Sequence, residues 1–258
     1  MNFTEITSGL RFPEGPIAMP DGSVILVEMF GPRITRVHPD GTKETVAEIE
    51  GGPNGAAIGP DGALYLCNNG GCFTPVDLGG LLLPGAFDPG RYIGGRIQRV
   101  DLATGAVTDL YTHCDGRPLR APNDLVFDAH GGFWFTDHGI RDHHARTSDL
   151  TGIYYAKADG SHISEQVFPV EGPNGIGLSP DGRKLYVADT PSGRLWSWDI
   201  TGPGELSRYG APGIAGGWPR FTTTGWPGSR GLACPRCRNG QRPSGTSTWC
   251  GPTAALTW

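Results

Sequence analysis

The chain has 258 residues, with 21 Lys and Arg against 26 Asp and Glu and a formal net charge of −5. Only 18% of it is charged, a balance that excludes a nucleic-acid surface or a basic patch for membrane headgroups. No apolar run approaches the ~18 residues of a membrane span. The start, MNFTEITSGLRFPEG, lacks the basic end and apolar centre of a secretory signal, so one large soluble, cytoplasmic domain is expected.

Gly (42) and Pro (23) together make up about a quarter of the chain, a share that signals low complexity when it has no period. Here the period is visible. A unit reading Pro, polar residue, apolar run, turn, apolar run, polar residue begins at Pro13 as PEGPIAMPDGSVILVE, followed by the weaker strand–turn–strand GPRITRVHPDGTKETVAEI. It returns from Pro53 as PNGAAIGPDGALYLCN, then, past an insertion near 72–95, GGRIQRVDLATGAVTDLYT. The third copy is PNDLVFDAHGGFWFTD from Pro122 with TGIYYAKADGSHISEQVF, and the fourth is PNGIGLSPDGRKLYVAD from Pro173 with SGRLWSWDITGPGEL. Asp21-Gly22, Asp61-Gly62, Gly131-Gly132 and Asp181-Gly182 supply tight hairpin turns.

Four antiparallel strands in about 40–50 residues make one β-propeller blade. A β-sandwich would not place a polar residue at one station of every fourth strand. The class is therefore all-β, with residues 1–210 holding four blades and the start of a fifth. FTEITSGL is placed to complete the last blade when the ring closes.

From Ala211 the pattern stops. Residues 211–258 contain no Val, Asp, Glu or Lys, yet hold four of the seven Trp and five Arg. A slip of reading frame near Trp218–Thr222 accounts for this bias. The CPRC motif with Cys250 makes only a partial zinc site, because such sites take four ligands. Cys67, Cys72 and Cys114 are scattered through the blades and are expected as reduced thiols.

The repeat also locates a site. The residues after each Pro are Glu14, Asn54, Asn123 and Asn174. Each begins an innermost strand, so all four should ring one mouth of the channel. A hairpin returns to the face where it began. Glu28, Asn68, Asp137 and Asp189, which end the second strands, should form a second polar ring there and, with Asn54 of the first, are expected to bind the substrate's hydroxyls. Long loops at 72–95 and 138–152 should overhang this face, as loops over a small-molecule site do. The alternative for each Asn or Asp is a turn cap bonded to nearby backbone. Oxygen-only ligands suit a hard cation such as Ca²⁺ or Mg²⁺. His138, His143 and His144 are expected as solvated loop residues, with a proton shuttle as the alternative.

FPEGP, GGRIQRVD, APNDLVFD, FTD and SPNGIGLSPDGRKLYVAD resemble the gluconolactonase / regucalcin (senescence marker protein) / luciferin-regenerating enzyme family over residues 1 to about 205. The resemblance implies a six-bladed propeller with one divalent cation in its channel (Ca²⁺ first, with Mn²⁺, Mg²⁺ or Zn²⁺ as alternatives) and hydrolysis of a small-molecule sugar lactone. By motif, Glu14 and Asn174 match metal ligands. Asn123 matches the ligand-side residue that holds metal-associated water or substrate, and so counts among both the metal and the catalytic residues. The family's remaining ligand, an Asp that also serves as acid/base, should fall near Thr222, where this chain reads TTTGW. Two other readings stay open: a non-enzymatic propeller that binds protein partners, and a truncated, inactive relative.

Overall fold

The computed structural model describes residues 4–207. The expectations placed on the tail, including the CPRC motif and the Asp station near Thr222, lie outside these residues. The described residues form strands and no helix, in agreement with the all-β class. None of them forms a helix long and apolar enough to cross a membrane.

Strands β1 (Pro13–Ala18), β2 (Val24–Glu28), β3 (Arg33–Val37) and β4 (Lys43–Glu48) form the first antiparallel meander. The second begins with β5 (Pro53–Ile58) and β6 (Leu64–Asn68). A separate hairpin of β7 (Phe73–Asp77) and β8 (Leu82–Phe87) intervenes before β9 (Arg96–Val100) and β10 (Val107–Tyr111) complete it. A short ribbon, β11 (His113–Cys114) with β12 (Arg117–Pro118), leads to β13 (Pro122–Phe127) and β14 (Gly132–Asp137). A second ribbon, β15 (Arg141–Asp142) with β16 (Thr147–Ser148), precedes β17 (Thr151–Lys157) and β18 (Ile163–Val170), which finish the third sheet. The fourth is β19 (Pro173–Leu178), β20 (Lys184–Asp189), β21 (Arg194–Gly202) and β22 (Glu205–Leu206).

Each of the four prolines opens a sheet, where a residue without an N–H does no harm. Their partners repeat as well: Pro13 with Glu28, Pro53 with Asn68, Pro122 with Asp137, and Pro173 with Asp189. Just beyond each proline the register shifts, so every inner strand carries a bulge at the same station. At the first hairpin tip Gly22 (φ 82°) donates to the Met19 carbonyl and takes the left-handed conformation that the turn needs.

Side-chain alternation welds neighbouring sheets together. Ile25, Val27 and Ile34 of the first sheet pack with Leu64, Leu66 and Val100 of the second. Tyr65, Cys67 and Ile97 point the other way and meet Leu125, Phe133 and Phe135 of the third. Trp134 and Ile153 face back from those toward Leu185, Val187 and Trp196 of the fourth. The central strands β6 and β14 are thus buried on both faces, whereas β20 alternates buried and half-buried positions. Cys67, Cys72 and Cys114 are free buried thiols, and burial pushes that of Cys72 up to about 12.

The N-terminal segment departs from expectation. Residues 4–10 form no strand. They lie along the first sheet, with Thr7 Oγ1 donating to the Gly41 carbonyl and Lys43 Nζ to that of Ser8. The last blade, which this segment was expected to complete, lies outside the described residues.

Candidate functional site

Inner strands β1, β5, β13 and β19 pack on one another in that order, which sets Glu14, Asn54, Asn123 and Asn174 on consecutive strands. The close approach depends on glycine. A Cβ on Gly15 would fall 2.9 Å from the Asn54 carbonyl oxygen, and one on Gly55 would fall 2.6 Å from that of Asn123. The next step is bridged by Thr136, whose hydroxyl donates to the Asn174 carbonyl at 2.6 Å and accepts from the Asp124 amide at 3.2 Å. Gly55→Ala is expected to cost about 1–3 kcal/mol in urea melts, because its Cβ meets backbone atoms that cannot swing aside.

The two polar rings differ in what their side chains do. Glu28 accepts from the Arg11 amide (2.7 Å), the Thr35 hydroxyl (2.6 Å) and Arg33 Nε (3.0 Å). Burial alone would raise its pKa, but these donors outweigh it and hold the carboxyl below its ordinary range. Asn68 takes the Gly52 and Gly70 amides on Oδ1 and donates to Glu50 and Gln98. Asp137 accepts from the amides of Arg120, Ala121 and Gly139. Asp189 accepts from the Ser192 amide and Trp196 Nε1. All four are buried, and each ties the loop before its sheet or after its hairpin to the end of a second strand. By contrast, the side chains of Asn54, Asn123 and Asn174 form no hydrogen bond with another described residue.

Sequence reasoning missed Asp124. The station after the ring residue is Gly15, Gly55 and Gly175 in three sheets, and Asp124 in the third; that break in the repeat was the available signal. Its carboxylate accepts from the Ile176 amide (3.2 Å) and the Leu125 amide (2.9 Å), linking β13 to β19. Burial raises its pKa. Burial, then the Asp124 charge, also raises that of Glu14 against the opposing pull of the Gly15 amide. A desolvated carboxylate beside a second one, with amide oxygens around it, is an environment that a hard cation relieves. No group of three or more His, Cys, Asp or Glu among the described residues could hold a metal ion, so a cation here would draw on the amides.

The long loops meet one another. The β7–β8 hairpin packs on the β15–β16 ribbon, and Cys72, Ala121 and Ile140 form a small core with Phe73, Phe87 and Tyr92. His143 and His144 are exposed as expected, but His138 is not a solvated loop residue. Its backbone N–H bonds to the Ala121 carbonyl and its ring lies against Gly172 and Pro173, so burial lowers its pKa. A cleft of about 880 Å³ opens between β18 and β21, lined by Val167, Val170, Trp196 and Trp198 with Glu171 and Asp189 among its polar members.

Meander sheets packed face to face, with one end of each inner strand carrying an open carboxylate or amide, define an all-β protein of the propeller family. The chain belongs to the SMP-30/Gluconolactonase/LRE-like family, whose profile matches residues 12–210. It is 28% identical to a lactonase drp35 of Staphylococcus epidermidis over 178 residues, 68% of this chain and 47% of that one. It is 24% identical to a gluconolactonase of Zymomonas mobilis over 220 residues, 77% of this chain and 55% of that protein. The chain thus spans about half the length of these relatives. In fold it is similar to a gluconolactonase from Xanthomonas campestris (TM-score 0.61, 23% identity, 79% of this chain, 63% of that one). A calcium-binding regucalcin from Agrobacterium tumefaciens gives TM-score 0.54, 20% identity, and 77% and 60% coverage.

Proposed function

We propose that this chain is a lactone hydrolase acting on sugar lactones, with a divalent cation, Ca²⁺ first, held by Glu14, Asn123 and Asn174. The four described sheets would be four blades of a six-bladed ring. The observation that carries the reading is the contrast between the rings: the second spends its polar atoms on the fold, while the first leaves its amides open beside a desolvated carboxylate. Relatives named lactonase and gluconolactonase support the reaction class.

When bound, the cation would polarise the lactone carbonyl and make a nearby water more acidic. The chain's own residues do the rest. Glu14 contributes negative charge, and neutral Asn123 and Asn174 contribute oxygens without quenching the electrophile. The Asn123 amide N–H₂ can orient a ring hydroxyl or the developing oxyanion. Among the described residues, Glu14 and Asp124 are the carboxylates on the ring, and burial raises both, the direction that suits a proton acceptor working nearer neutral pH. Glu28, Asn68, Asp137 and Asp189 would act on substrate through the loops they anchor.

The test is a pH-stat assay of the full chain on glucono-1,5-lactone and related aldonolactones, with and without Ca²⁺ or Mn²⁺. Cation-dependent turnover is expected. Inactivity on every lactone would overturn the reading in favour of a binding propeller or an inactive relative.

A further inference from the structure

Three buried polar atoms without a hydrogen-bond partner among the described residues belong to residues gathered around one corner of the fold: His138 Nδ1, Arg141 Nε and Ser192 Oγ. The corner is Gly172, two residues before Asn174. A Cβ on Gly172 would fall 3.1 Å from Arg141 Nη2 and 2.8 Å from the Pro191 ring, so the ribbon β15–β16 and the β20–β21 loop both close on this glycine. The Thr190 amide donates to the Gly172 carbonyl at 3.1 Å, fixing the loop that carries Ser192. Arg141 is anchored on one side by Nη2 donating to the Glu171 carbonyl at 2.8 Å, and its side chain keeps 27% of its surface exposed. Buried donors and acceptors left unmade are costly, so a cluster of three is a poor accident of packing.

We propose that His138, Arg141 and Ser192 form a subsite for vicinal hydroxyls of a polyhydroxylated ligand, beside the Asn174 end of the ring. Arg141 Nε–H can only donate. His138 Nδ1 accepts or donates according to the ring's tautomer. Ser192 can do either. A hydroxyl serves both kinds of partner, whereas a carboxylate cannot donate. The carboxylates of Asp189 and Glu171 stand close by, the latter 4.0 Å from Arg141 Nη2, and they oppose an anion here. The assignment rests on the lactone reading for the ligand's identity and adds a preference: sugar lactones over plain alkyl lactones. A site built to bond substrate hydroxyls discriminates strongly against analogues lacking them.

Two measurements on the full chain test this. The first is the ratio of kcat/KM for glucono-1,5-lactone to that for δ-valerolactone, in the parent chain and in Arg141→Lys and Ser192→Ala. The ratio is expected to exceed 100 and to fall at least tenfold in Arg141→Lys, mainly through KM. Ser192→Ala, which removes one of the three atoms, should lower it about threefold. A ratio unmoved in both variants overturns the subsite while leaving the hydrolase reading intact. The second needs no turnover: calorimetric binding of D-glucitol, a neutral polyol. Affinity that drops at least tenfold in Arg141→Lys supports the subsite even if no lactone is hydrolysed. Equal or absent binding in parent and variants means the three atoms hold ordered water only, and overturns it.

Discussion

Replacing Glu14 with Gln is expected to cut Ca²⁺ affinity at least tenfold, about 1.4 kcal/mol, by calorimetry on the full chain. Among Glu14, Asn123 and Asn174 it is the single anionic side chain, and ligand charge helps set affinity for a divalent ion. The same change should raise the melting temperature of the cation-free protein. Burial and the neighbouring Asp124 raise the Glu14 pKa above its ordinary 4.5. In the window above 4.5 the folded state therefore holds more protons than the unfolded one, so stability falls as pH rises through that window. Gln carries no such penalty. The gap between variant and parent should be absent below pH 4.5 and open on raising the pH, then close on adding Ca²⁺. An unchanged calcium affinity would remove Glu14 from the ligand set.

Asp137→Ala is expected to cost about 3–5 kcal/mol, read from urea melts, because three backbone N–H groups, two of them in buried bonds, lose their acceptor together. Two of them, on Arg120 and Ala121, lie just before Pro122 and Asn123, so the variant should also disorder one quarter of the described ring. Asp137→Asn keeps one acceptor oxygen and should cost less. The pair separates two roles for the second ring. If Asp137→Ala left stability intact and weakened only lactone binding, the carboxylate would face the ligand rather than the loop.

Much of this architecture was legible because hairpin chemistry is local. Proline without an N–H, an Asp-Gly turn and alternating apolar residues specify where a strand starts, reverses and buries itself, and the pairing of Pro13 with Glu28 through Pro173 with Asp189 follows. What sequence spacing does not carry is the direction in which an acceptor is used. Asp137 and Asn123 are both polar residues at repeated stations; the first turns to the preceding loop and the second does not. That difference arises from how 119–121 crosses the strand end, a tertiary matter. His138 follows the same rule: a polar loop by composition, half-buried because the next sheet's first residues pack on it. Asp124 was readable in principle, as the one non-glycine at its station.

Each core is shared by consecutive sheets and by no others, which makes the described region behave as a one-dimensional array with nearest-neighbour coupling. Free energy of opening should therefore be graded along the chain. Amides of β6 and β14, buried on both faces, would exchange with deuterium last, and those of β4 and β22 first. Damage would travel only one sheet at a time: a cavity at Val27 would loosen the first and second sheets and leave protection in β20 nearly as it was.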